Sequence, residues 1–146
     1  MSETIKTYNP TTGEQLDHYQ LISAEDAEQA VTRSHEAYLN WKKTSFGARA
    51  EIFNNLADLM EERIDDLANL MTLEMGKVAE QGKQEVQLCA EICRYTAEHG
   101  ASFLEDEARV YEGGKAIITY QPTGVILGIQ PWNFPLYQVI RYSASN

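Results

Sequence analysis

The sequence feature that most constrains the fold is an apolar run that ends in a turn between two prolines. Residues 124–135 read Gly-Val-Ile-Leu-Gly-Ile-Gln-Pro-Trp-Asn-Phe-Pro. Pro131 and Pro135 each fix their own φ, and each pushes the preceding residue towards extended backbone, so little freedom is left for Asn133. The run at 125–129 predicts a central parallel strand, because it is apolar on both faces. Open α/β sheets bind ligands where such strands end.

This stretch closely resembles the aldehyde dehydrogenase superfamily, in which a strand leads into a Pro-Trp-Asn-Phe-Pro turn at the nucleotide and substrate crevice. Residues 120–125 are similar to the family's approach to that turn, and residues 73–77 are similar to an upstream element that ends a helix. Residues 9–14 resemble the family's first hairpin. The resemblance therefore extends from about Tyr8 to Asn146.

The resemblance implies an α/β fold, of which this chain is the truncated N-terminal part: a β-hairpin, amphipathic helices, a β arm and the first strand of the crevice. Residues 1–111 would form the hairpin and the helical part of the cofactor-binding domain. Residues 112–123 would form a β arm like the family's oligomerisation extension, and residues 124–146 would begin the strand-turn-helix unit. Family members are much longer than this chain. Their nucleophilic cysteine, general-base glutamate and glycine-rich cofactor loop correspond to sequence that it does not contain.

Local signals predict the order of the secondary-structure elements. Ser23 with Asp26, and later Ser45, are typical helix N-caps, and Gly76 is a typical helix end. The predicted elements are strands at 5–8 and 15–20, helices from Ser23, from Ser45, from Asp65 or Asp66 to Gly76 and over about 78–99, strands at 115–120 and 125–129, and a helix after Phe134.

Helical spacing also predicts which side chains form the core. The first helix is expected to bury one apolar stripe. The predicted inward residues are Ala27, Ala30, Val31, Ser34, Tyr38 and Trp41 in the first helix, Ile52, Phe53, Leu56, Leu59 and Met60 in the second, Leu67, Leu70 and Met71 in the third, and Val86, Cys89, Ala90, Cys93 and Ala97 in the fourth.

Composition and charge argue against several classes of partner. The chain has 146 residues, is 43% hydrophobic, and carries 12 Lys and Arg against 22 Asp and Glu, for a formal net charge of −10. This charge repels nucleic acid and anionic membrane surfaces. No apolar run approaches the roughly 20 residues that cross a bilayer, and the first residues lack a signal-peptide pattern. We therefore expect a cytoplasmic protein without nucleic-acid or membrane partners.

The two cysteines do not have the spacing of a loop-type metal site. Cys89 and Cys93 lie four residues apart in a helical pattern, so their side chains share one helix face. We interpret both as small buried residues, with a metal-binding pair as the less favoured alternative. Neither matches the family's catalytic cysteine. The histidines and acidic clusters also lack metal-ligand spacing, so no metal site is predicted.

Asn133 is the candidate catalytic residue. Its side-chain amide N–H could donate to a developing negative charge, and such a preorganised donor can contribute roughly 3–4 kcal/mol to transition-state stabilisation. The alternative is that Asn133 only caps the following helix, since asparagine is a preferred N-cap residue. The resemblance favours the oxyanion role.

The resemblance also implies a cofactor surface. Ile129, Gln130, Pro131 and Trp132 match positions where the family lays NAD or NADP against the strand end, largely through backbone atoms. The alternative for Trp132 is a core tryptophan. The chain itself has no dinucleotide-fingerprint glycine spacing.

A substrate surface is expected on the helix after Pro135. Phe134, Tyr137 and Arg141 are spaced by three and four residues, which places them on one face of a helix. The Arg141 guanidinium can hold a carboxylate by two parallel hydrogen bonds, and members of the succinate-semialdehyde branch carry an arginine at the matching position. The alternative is a surface arginine paired with an acid. Tyr142 departs from the lysine found there in many NADP-preferring members.

The resemblance implies that the complete enzyme oxidises an aldehyde, succinate semialdehyde in this branch, to a carboxylate with NAD or NADP. Homo-oligomerisation is expected for that complete enzyme, and no activity for this chain by itself. Two alternatives stay open. One is a stand-alone helical interaction or binding module, and the other is a dehydrogenase for an uncharged aldehyde.

Overall fold

Two hairpins and five helices follow one another along residues 4–146, which are the residues that the computed structural model describes. In chain order the elements are β1 (Thr4–Tyr8), β2 (Gln15–Gln20), α1 (Ala24–Trp41), α2 (Phe46–Glu62), α3 (Ile64–Met75), α4 (Ala79–Phe103), β3 (Glu107–Tyr111), β4 (Gly114–Ile118) and α5 (Pro135–Ala144). None of the helices in this range is long and apolar enough to span a membrane.

The first hairpin confirms the prediction from its turn residues. β1 and β2 are antiparallel, with Ile5 opposite Tyr19 and an irregularity in register after Lys6. Asn9 organises the turn: its Oδ1 accepts a hydrogen bond of 2.9 Å from the Thr11 N–H, as is typical of asparagine in turns. The turn residues therefore predicted where this hairpin forms.

The predicted helix ends are also confirmed where a side chain or a glycine determines them. Ser23 and Asp26 form a reciprocal capping box at α1, and Ser45 accepts a hydrogen bond of 3.2 Å from the Ala48 N–H at α2. α3 ends at Gly76, whose φ of 73° is accessible to glycine at little cost. Only α4 runs past its predicted end near 99, to Phe103.

The hydrophobic core lies between α2, α3, α4 and α5. The prediction for α4 is confirmed at four positions, since Val86, Cys89, Ala90 and Cys93 are fully buried, whereas Ala97 is only partly buried. α5 contributes Ile140 to the same cluster.

The predicted inward faces of α2 and α3 are partly wrong. Ile52, Leu59 and Leu70 are about half exposed, and the buried positions are Ala57, Met60, Ala68 and Met71. α4 approaches α3 so closely that a Cβ on Gly82 would lie 3.0 Å from the Ala68 Cα. Leu59 and Leu70 each lie two residues after a buried alanine, and positions two residues apart on a helix do not share a face.

The prediction that α1 buries an apolar stripe is wrong for this chain. α1 has no buried residue, and Val31 and Trp41 are exposed. The helix lies outside the core cluster that α2, α3, α4 and α5 form. A 3.3 Å hydrogen bond from the Tyr38 hydroxyl to the Pro122 carbonyl oxygen connects it to the segment before the turn.

The predicted strand at 125–129 is not observed as a strand. Residues 119–131 form neither helix nor strand, and Leu127 is exposed. A strand exists only with a hydrogen-bonded neighbour, and in the described part of the chain β1 pairs with β2 and β4 pairs with β3. β4 confirms the prediction at 115–120 with slightly different bounds, whereas its partner β3 was not predicted.

Candidate functional site

The turn at Asn133 leads directly into α5. Pro135 is the first residue of that helix, where its missing N–H is not needed, and Phe134 occupies the N-cap position with φ −135° and no side-chain cap hydrogen bond. Asn133 precedes the cap, and its side chain is exposed. Within residues 4–146 its amide makes no side-chain hydrogen bond. The alternative that Asn133 caps the helix is therefore wrong.

Two buried charged residues that the sequence analysis did not single out as site residues hold this turn. The Lys77 ammonium forms an ion pair with the Glu85 carboxylate, and their side chains are only 6% and 1% exposed. Lys77 follows the αL end of α3 at Gly76, and Glu85 lies on the buried face of α4. One signal in the sequence could have revealed Glu85, because it is four residues before Cys89 on the predicted inward face.

Both members of this pair also contact the turn. Lys77 Nζ donates a hydrogen bond of 3.2 Å to the Asn133 carbonyl oxygen and lies 3.8 Å from the centroid of the Phe134 ring. Glu85 Oε1 accepts a hydrogen bond of 3.0 Å from the Tyr137 N–H, in the first turn of α5. A carboxylate at this end of a helix is favourable both for the unpaired N–H groups and for the helix dipole.

The three residues predicted to bind substrate lie in a row along α5. The Phe134 and Tyr137 rings meet edge to face with centroids 6.3 Å apart, and the Arg141 guanidinium carbon lies 5.5 Å from the Tyr137 centroid. Arg141 Nη2 donates to Gln138 Oε1 at 3.0 Å. The described residues provide no ion pair between Arg141 and an acid, so the acid-paired alternative finds no support.

The predicted cofactor residues lie at the surface before the turn. Ile129 is 87% exposed and Trp132 is 74% exposed, while Gln130 is partly buried. The alternative of a core tryptophan is therefore wrong. Trp132 borders an open apolar groove between α3 and α5, whose other lining residues include Leu67, Leu70, Met71, Leu136 and Val139.

Sequence comparison provides the deciding observation. The model of the aldehyde dehydrogenase family matches residues 1–145. The chain belongs to the aldehyde dehydrogenase family. It is 43% identical over 140 residues to the NADP⁺ succinate-semialdehyde dehydrogenase of Deinococcus radiodurans, covering 96% of this chain and 29% of that protein. It is 40% identical over 144 residues to the corresponding Mycobacterium leprae enzyme, with coverages of 97% and 32%.

Comparison with solved structures agrees with the sequence match. The succinic semialdehyde dehydrogenase of Streptococcus pyogenes, solved in complex with NADP⁺, superimposes with a TM-score of 0.90 at 33% identity, covering 95% of this chain and 31% of that one. This aldehyde dehydrogenase chain thus has the fold of the N-terminal part of such enzymes. It spans about 30% of the length of the relatives that it matches.

Both thiols of this aldehyde dehydrogenase chain lie in the hydrophobic core. Cys89 and Cys93 are free and fully buried, as predicted. Burial, with a smaller contribution from the Glu85 carboxylate, raises the pKa of the Cys89 thiol to about 12, and burial also raises the pKa of Cys93. Residues 4–146 contain no group of three or more His, Cys, Asp or Glu side chains that could hold a metal.

Proposed function

We propose that this chain provides the oxyanion-binding amide of an aldehyde dehydrogenase that oxidises succinate semialdehyde. One observation carries the proposal: the Asn133 amide is exposed on a turn held by Lys77 and Glu85, and the helix that follows does not use it. When a thiolate adds to an aldehyde, negative charge builds on the carbonyl oxygen. An N–H donor that is already fixed in place stabilises this charge and lowers the activation barrier, because the donor does not have to reorganise during the reaction.

The nucleophile in this proposal comes from outside the chain, since Cys89 and Cys93 are sealed in the core. Succinate-semialdehyde dehydrogenases at about 40% identity support the choice of activity. The complete protein would therefore combine the Asn133 donor with a cysteine and a general base from its remaining length.

The cofactor in the proposal is NADP or NAD, with Ile129, Gln130, Pro131 and Trp132 as its contact residues. The relatives from D. radiodurans and M. leprae are named as NADP⁺ enzymes, which favours NADP. The segment fits such a group, because its backbone N–H and C=O groups are not used in a sheet ladder and Trp132 offers an exposed apolar surface. When bound, the nicotinamide supplies the hydride acceptor. These residues bind and orient it.

The substrate surface in the proposal is the row Phe134, Tyr137 and Arg141. The guanidinium would bind the carboxylate at the far end of succinate semialdehyde, and the two rings would exclude water from the path between Arg141 and Asn133. The edge-to-face ring contact and the absence of an acidic partner for Arg141 among residues 4–146 support this arrangement.

The proposal extends to organisation and assembly. Residues 1–111 and 124–146 would belong to the cofactor-binding and crevice regions, and residues 112–123 to an arm for homo-oligomerisation. Exposed apolar side chains on β4, such as Ile117, support a pairing role for the arm. The proposed location is the cytoplasm, and two unpaired thiols agree with a reducing compartment.

A chimeric enzyme tests the proposal. The N-terminal part of the D. radiodurans succinate-semialdehyde dehydrogenase is replaced by residues 1–146 of this chain, and NADPH formation from succinate semialdehyde is measured at 340 nm. We expect activity, and a fall in kcat of about 10²–10³-fold for Asn133→Ala. Asn54→Ala, at an exposed position of α2, is the matched control and should retain activity. A folded chimera in which both variants are equally active would refute the role of Asn133.

The same chimera separates a carboxylated from an uncharged substrate. Arg141→Ala should lower kcat/KM for succinate semialdehyde by about 10–100-fold, the value of one hydrogen-bonded charge, and leave kcat/KM for butanal nearly unchanged. Arg63→Ala, at an exposed arginine paired with Asp66, is the control. Equal losses for both aldehydes would favour the uncharged-aldehyde alternative.

A further inference from the structure

We infer that the buried pair Lys77 and Glu85 positions the Asn133 amide, so that both are positioning residues for the oxyanion site. We call this pair the clamp. The inference deepens the proposed function and rests on it. The clamp does not contact the substrate in this assignment, and it acts only through the turn that carries Asn133.

The contacts of the clamp hold the backbone at Asn133 and at the start of α5. Lys77 Nζ donates to the Asn133 carbonyl oxygen at 3.2 Å, and Glu85 Oε1 accepts from the Tyr137 N–H at 3.0 Å. The first bond fixes the plane of the peptide that follows Asn133. The second fixes the start of α5. The backbone that sets the direction of the Asn133 side chain is thereby held at two points four residues apart.

The turn needs an external support because its own hydrogen-bonding capacity is low. Pro131 and Pro135 have no N–H, so neither can close a local turn by donation. Phe134, the N-cap, provides no side-chain hydrogen bond to the helix. The Tyr137 N–H is one of the helix-end donors that needs a partner, and Glu85 supplies it from α4.

Burying the two charges of the clamp costs desolvation free energy, which suggests that the pair has a role beyond stability. Both side chains are almost fully buried, and an apolar pair of similar volume is often at least as stable as a buried ion pair. Each ion here makes a second polar contact: Lys77 to the Asn133 carbonyl oxygen in the turn, and Glu85 to the Tyr137 N–H at the start of α5. The Lys77 ammonium also lies against the Phe134 ring, 3.8 Å from its centroid. Because Glu85 neutralises Lys77, the clamp adds no net charge near Asn133, and it acts only by holding the backbone in place.

Three variants separate positioning from simple stabilisation. Lys77→Met removes the donor to the Asn133 carbonyl and leaves the Glu85 carboxylate buried without its cationic partner. The double variant Lys77→Met/Glu85→Gln removes both charges, and the glutamine oxygen can still accept from the Tyr137 N–H. We expect the double variant to be more stable than Lys77→Met, with the Asn133 carbonyl still lacking its donor.

Kinetics of the chimera then decide the assignment. Lys77→Met and the double variant should both lower kcat by about 10–100-fold, with KM for NADP⁺ changed less than about 2-fold. If Lys77→Met does not fold, the double variant carries this test. Recovery of kcat together with stability in the double variant would mean a merely structural role and would overturn the inference.

A double-mutant cycle with Asn133 gives the sharpest readout. Because the clamp acts through Asn133, loss of the clamp should change kcat less than about 2-fold when Asn133 is already alanine. Full additivity would overturn the inference. Lys83→Met breaks an exposed ion pair to Asp65 (2.6 Å) between α4 and α3, and as the matched control it should leave kcat unchanged.

The two possible failures are distinguishable. If Asn133→Ala lowers kcat and the clamp variants do not, the inference is wrong and the proposed function stands. If Asn133→Ala leaves kcat unchanged, the proposed oxyanion role is wrong, and the inference falls with it. In the 146-residue chain, hydrogen exchange supplies an independent check, since Glu85→Ala should speed exchange at the Tyr137 N–H and a rate equal to wild type would contradict the clamp.

Discussion

Two glycines of α4 should respond to the same substitution in opposite directions. Gly82 and Gly100 each lie three residues from an end of the helix. At Gly82 a Cβ would lie 3.0 Å from the Ala68 Cα and 3.3 Å from its carbonyl oxygen, whereas at Gly100 the nearest atom is the Thr96 Cγ2 at 3.7 Å. The first site faces the backbone of a neighbouring helix, and the second has ordinary contact distance.

The magnitudes follow from helix propensity and packing. Replacing a helical glycine with alanine favours the helix by up to about 1 kcal/mol, and this gain should be similar at both sites. At Gly82 the added methyl group forces α3 and α4 apart, which costs about 1–3 kcal/mol. We therefore expect Gly100→Ala to raise the free energy of unfolding by about 0.5–1 kcal/mol, and Gly82→Ala to lower it by about 1 kcal/mol.

Urea denaturation of the 146-residue chain, followed by circular dichroism at 222 nm, measures both effects. The difference between the two variants isolates the steric cost, because the propensity gain cancels. The m-values should be unchanged. If Gly82→Ala stabilises the chain as much as Gly100→Ala does, the close contact between α3 and α4 is not rigid and the packing argument is refuted.

Four further outcomes are expected for the chain. Neither Cys89 nor Cys93 should react with Ellman's reagent in the native state at pH 8, whereas both should react in urea. The free energy of unfolding should fall as pH rises from about 9 towards 12, because the Cys89 thiol loses its proton at a lower pH in the unfolded state than in the folded state. Cys89→Ala should weaken this pH dependence, and an unchanged dependence would contradict the raised pKa of Cys89. Amide exchange should be fast at 125–129 and slow at Val86, and the reverse order would contradict the described fold. The pure chain should form no NADPH from succinate semialdehyde, and measurable turnover would contradict the prediction that the chain by itself is inactive.

Short-range chemistry made several elements predictable. The turn around Asn9, the caps at Ser23 and Ser45 and the αL end at Gly76 each depend on one side chain or one backbone preference within a few residues. The inward face of α4 was predictable for the same reason, because its period depends only on helix geometry.

Predictions that depended on contact with another strand or helix were less successful. The run at 125–129 has the composition of a buried strand but has no ladder partner among the described residues. α1 is amphipathic but lies outside the core cluster. In both cases the pattern records a preference for burial, and burial needs another surface.

The sequence by itself determined the family, the helix ends that a cap or a glycine marks, and the candidate site on the turn at Asn133, because these depend on local backbone limits and on a motif that can be read directly. Only the tertiary structure revealed the support of that turn. Lys77 and Glu85 are distant from Asn133 in the chain, and what joins them is the packing of α4 against both α3 and α5. Their charges are informative only because they are buried, and the burial of a side chain is decided by the elements that surround it.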